Sequence, residues 1–75
     1  MKLYLLQPIR GWKYGCDVAL GFVIRAESEI RAREMAAELH GDEGPVGWLS
    51  PELSACTVLK PDGAEKIILR DFKAC

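Results

Sequence analysis

Only one stretch of this chain has helical spacing, and its apolar stripe is built mostly from small residues. Ala32, Met35, Ala36 and Leu39 recur at i, i+3, i+4 and i+7. A stripe this narrow cannot hold a lone helix in water, so the helix must lie close on another apolar surface. Ser28 offers an N-cap hydroxyl, and Glu29 suits the positive end of the helix dipole. Glu29 and Arg33 stand at i, i+4 in the favoured order. His40 and Gly41 supply the stop. Ile30 falls nearly opposite the stripe, alongside Ala37, as an apolar residue on a charged face.

The partner surface comes from runs of strand length. Lys2 to Ile9 is almost continuously apolar, with Pro8 marking an end or an edge. Asp17 to Ala26 places Val18, Leu20, Phe22 and Ile24 on one face, toward the core. Gly21 in that run predicts a bulge or a large side chain across the backbone, with Trp12, Tyr14 and Trp48 as candidates. Ala55 to Lys60 is a third strand. Pro61-Asp62-Gly63-Ala64 has turn chemistry and leads to a fourth, Lys66 to Phe72, in a predicted hairpin. Between helix and hairpin, Gly41 to Ser54 reads as a long loop pinned by Trp48 and Leu49, with a helical turn at Ser50-Pro51-Glu52.

The expected fold class is therefore α+β, two layers in the order β-β-α-β-β, with one helix packed on a small antiparallel sheet. Its 75 residues suit a single domain, 1–75, with one small core. Strand order, and hence which strands are edges, is left open by the linear order.

Hydrophobic residues make up 49% and charged residues 28%, a globular balance rather than a disordered or membrane-like one. The formal net charge of -1 excludes a basic surface spread over the whole molecule. No apolar run reaches the length of a membrane span, and Gln7, Pro8 and Arg10 interrupt the first run too early for a signal peptide. The odd cysteines Cys16, Cys56 and Cys75 argue against a disulfide framework and suit a reducing cytoplasm.

The chemistries sort by residue supply. Three scattered cysteines and one histidine lack zinc-ligand spacing, so no metal or other cofactor is expected. Cys16 and Cys56 read as small buried hydrophobes; a small Cys-dependent enzyme built on either would need His40 within reach. Asp42 and Glu43, between Gly41 and Gly44, are weak acid/base candidates in a solvated loop. Phosphate cradles are absent. Arg10, Trp12, Lys13 and Tyr14 interleave basic and aromatic groups and form a candidate single-stranded nucleic-acid site. The remaining reading is partner binding, with no direct nucleic-acid contact, no membrane and no catalysis. Acids gather around the helix and the following loop: Glu27, Glu34, Glu38, Asp42 and Glu43. With Ile30 or Trp48 as apolar anchor, the predicted binding set is Ile30, Glu34, Glu38, Asp42, Glu43 and Trp48, facing a basic surface on a host protein complex.

The stretches Met1–Leu5, Gly21–Glu29, Gly41–Gly44, Trp48–Cys56 and Arg70–Phe72 resemble a family of short, mostly uncharacterised bacterial and phage proteins. That resemblance implies a mobile-element context and no particular reaction. In size and style the chain is also similar to anti-CRISPR inhibitors, which implies action by blocking a nucleic-acid-handling complex.

Overall fold

The computed structural model describes residues 1–12 and 16–71. Strand β1 spans Lys2–Pro8, β2 Phe22–Ala26 and β3 Ser54–Leu59; helix α1 spans Glu29–Glu38 and a short α2 spans Val46–Leu49. The three strands form one antiparallel sheet in the order β2-β1-β3. The fold is α+β, as the patterning predicts, with both helices on one side of the sheet.

The ladder explains why β2 is shorter than Asp17 to Ala26. Ile9 N donates to Leu53 O at 3.0 Å, in register with the β1–β3 pairs. Successive residues of a strand turn their backbone groups to opposite sides. Leu3, Leu5, Gln7 and Ile9 therefore address β3, while Lys2, Tyr4, Leu6 and Pro8 address β2. The next rung after Leu6↔Phe22 would need an N–H from Pro8, which has none. The β2 ladder stops at Phe22.

Tyr4, Leu6, Ile24 and Ala26 meet Ala32, Ala36, Ala37 and Trp48 in a single core. The helix is turned relative to the expected stripe. Its buried residues are Ala32, Arg33, Ala36 and Ala37, while Leu39 is 73% exposed. The cause is Arg33, whose guanidinium goes inward. Small residues on either side of it let α1 approach the sheet closely.

The opposite face of the sheet carries Leu5, only 7% exposed. A fourth strand at Lys66 to Phe72 is not formed within the described residues, which end at Asp71. Instead Leu69–Asp71 line a groove with Gln7 and Val23, two neighbours of Leu5 on that face. Ile67, Ile68 and Leu69 form a solid apolar run rather than an alternating one and are exposed, Ile67 at 80%.

Candidate interaction surface

Two tightly bonded clusters hold the loop from Gly41 to Ser54 against the helix and sheet. In the first, Trp48 is fully buried. Its ring meets Trp12 edge-on at 5.0 Å and Phe22 edge-on at 4.9 Å, geometry worth about 1 kcal/mol per pair beyond burial. Trp48 Nε1 donates to Glu43 Oε2 at 2.7 Å. The other Glu43 oxygen accepts from Gly41 N at 2.9 Å and Ala19 N at 3.0 Å. Burial by itself would raise the Glu43 pKa. The bonds from Trp48, Gly41 and Ala19 outweigh it and hold this carboxyl below its ordinary value.

The glycines mark where chain segments touch. A Cβ on Gly47 would lie 2.6 Å from Trp12 Cη2, so the large side chain expected over Gly21 lies over Gly47 instead. At Gly21 the close neighbour is Leu6 O on β1, at 3.2 Å. Gly41 abuts the backbone of Asp17 and Val18, and Asp42 N donates to Asp17 O at 2.7 Å.

The second cluster centres on Arg33, 6% exposed. Its Nη1 donates to Trp48 O at 3.0 Å and Ser54 Oγ at 2.8 Å; Nη2 donates to Ser54 O at 2.9 Å; Nε donates to Glu29 at 2.9 Å. Ser54 Oγ donates onward to Gly47 O at 2.7 Å. No buried side-chain polar atom among the described residues is left unpaired. The expected i, i+4 pair of Glu29 and Arg33 is formed, but the bonds of Arg33 to Trp48 and Ser54 were not expected from the sequence, where the signal was a charged residue set among Ala32, Ala36 and Ala37.

The predicted site residues divide accordingly. Trp48 is a core residue and cannot serve as a surface anchor, and Glu43 is engaged in holding the loop. Ile30, Glu34, Glu38 and Asp42 are exposed, Ile30 at 73%. Ile30, Glu34 and Glu38 share the outward face of α1, which begins where Ser28 Oγ accepts from Arg31 N at 3.2 Å. Arg31 Nη1 lies 3.5 Å from Glu34 and 3.7 Å from Glu38, so the face carries two carboxylates held by one guanidinium. In the Arg10–Tyr14 segment, Arg10 is exposed. Trp12 is packed on Gly47 and donates to Ala19 O at 2.7 Å, which removes its ring from base stacking. Lys13 and Tyr14 lie outside the described residues.

The cysteines differ from expectation. Cys16 is exposed rather than buried, and Cys56 is half-buried. Burial, then the charge of Glu29, pushes the Cys56 thiol up despite Arg33, which disfavours the thiolate a nucleophile needs. The His40 ring is exposed, with Nδ1 2.6 Å from Gly41 O. Among the described residues no group of three or more His, Cys, Asp or Glu side chains could hold a metal, and no helix is long and apolar enough to cross a membrane.

Comparison of the chain with family models, curated proteins and solved structures finds no match.

Proposed function

We propose that this chain is a non-catalytic interaction module. In this reading it acts in the cytoplasm as a phage or mobile-element inhibitor, similar in manner to anti-CRISPR proteins, and blocks a nucleic-acid-handling host complex. The outward face of α1 docks on a basic surface of that complex. The observation that carries the reading is Ile30, 73% exposed on a helix face it shares with Glu34 and Glu38. An apolar group sharing a helix face with two acids suits a basic surface with an apolar dimple. Asp42, exposed in the loop after the helix, is the further acid of the set. Arg31 pairs with both helix acids and keeps their side chains ordered before binding.

The test compares wild type with a Glu34→Lys, Glu38→Lys, Asp42→Lys variant in affinity capture from bacterial host lysate, with far-ultraviolet circular dichroism as the check on folding. All three positions are exposed, so the fold should persist. Loss of one nucleic-acid-handling complex from the captured set supports the reading. The same set captured by both proteins overturns it.

A further inference from the structure

Exposed apolar side chains from two ends of the sheet converge on the half-buried Trp12. Ile9, Val46 and Leu53, each about half exposed or more, line one pocket of about 290 Å³ with it. The bond from Ile9 N to Leu53 O joins the end of β1 to the segment before β3. Gly47 gives the Trp12 ring its room, and Ala19 O takes its indole N–H. These walls are therefore fixed by the fold before anything binds. The volume is small for a ligand site and suits one side chain better than a cofactor.

The same lining carries two carboxylates, Glu43 and Glu52, against one guanidinium, Arg10. Among the described residues none of the three forms an ion pair. Glu43 is not easily neutralised, because three N–H bonds favour its charged form. Those bonds leave open one of the roughly four acceptor positions of a carboxylate, on Oε2. An apolar pocket with an excess of unpaired negative charge calls for a cation with an apolar stem.

We propose that this pocket takes an arginine side chain of a partner protein, its methylene stem against Ile9, Val46 and Leu53 and its guanidinium between Glu43 and Glu52. Such a side chain buries its stem on apolar surface while its head stays with the charges. The planar fork serves two carboxylates, where a lysine is a single point charge, and its weaker hydration lowers the cost of entry. An anion would meet two like charges, and a neutral apolar group would leave both unpaired. Which protein carries the arginine rests on the function proposed above; the match between pocket and guanidinium does not.

Titration of the isotope-labelled full chain with N-acetyl-arginine amide at low salt, followed by amide and indole N–H shifts, tests this. The amides of N-acetyl-lysine and N-acetyl-norleucine serve as controls. Saturating shifts at Gly11, Gly47 and the Trp12 indole, about fivefold tighter for arginine than for norleucine and tighter than for lysine, are the expected result. Glu52→Gln, at an exposed position, should weaken the arginine probe about threefold and leave the rest of the spectrum in place. Equal affinity for norleucine or lysine overturns the proposal. So do an unchanged affinity in Glu52→Gln, shifts confined to the outward face of α1, or no shift at all. Because the probe is a single amino-acid amide, its failure leaves the lysate capture standing, and a failed capture leaves this titration standing.

Discussion

Arg33 joins the middle of α1 to the carbonyl of Trp48 and to both oxygens of Ser54. Because the guanidinium is buried, its removal strands acceptors that water cannot reach. Arg33→Ala should therefore lower the unfolding free energy by about 3 kcal/mol, read from urea titration. Arg33→Lys should restore little, since an ammonium cannot reproduce the planar fork. Glu43 adds a pH dependence. Its pKa is lower folded than unfolded. The associated stabilisation is complete above the ordinary carboxylate pKa and is lost as pH falls through the depressed folded value. Tryptophan fluorescence on acidification should report release of the Glu43–Trp48 bond, and Glu43→Gln should flatten that acid-side response.

The elements take their limits from single residues acting across the fold. Pro8 ends the β2 ladder on a neighbouring strand, and Gly47 lets α2 carry Trp12 against its backbone. Gly47→Ala drives a methyl group into the Trp12 ring. Overpacking of this kind should cost about 2 kcal/mol, seen as a lowered thermal midpoint and an altered near-ultraviolet tryptophan spectrum. Much of the element order was legible. The Ser28 cap, the first strand and the third strand follow from local chemistry. The helical turn expected at Ser50-Pro51-Glu52 is present as hydrogen bonds from Leu53 N and Ser54 N to Ser50 O, with Val46–Leu49 as a separate short helix before it. The rotation of α1 was not legible, because spacing treats an arginine as outward-facing. Only carbonyls from a distant loop make its burial tolerable.

At the scale of the molecule, the sheet needs cover on both faces. Helices cover one, and toward the other Leu69–Asp71 line a groove with Gln7 and Val23, neighbours of the buried Leu5. A chain ended at Lys60 should bare the Leu5 side of the sheet, lose about 2 kcal/mol for that side chain, and bind the apolar dye ANS more strongly than the full chain. Among the described residues, 61–71 add no strand beside β3.

The candidate surface divides along the same line. That Ile30 sits with Glu34 and Glu38 on the outward face of one helix follows from helical spacing, because a 3.6-residue period is a local property of the backbone. That Trp48 and Glu43 are spent inside the fold was decided by tertiary structure, since the indole N–H meets the loop carboxylate where Trp12 and Phe22 pack edge-on against the Trp48 ring. Sequence by itself determined the class of fold, the helix cap and the acidic face of α1. Tertiary structure decided the fate of Arg33 and the course of the last segment. Each of these depends on which distant groups share a surface, and no local propensity encodes that.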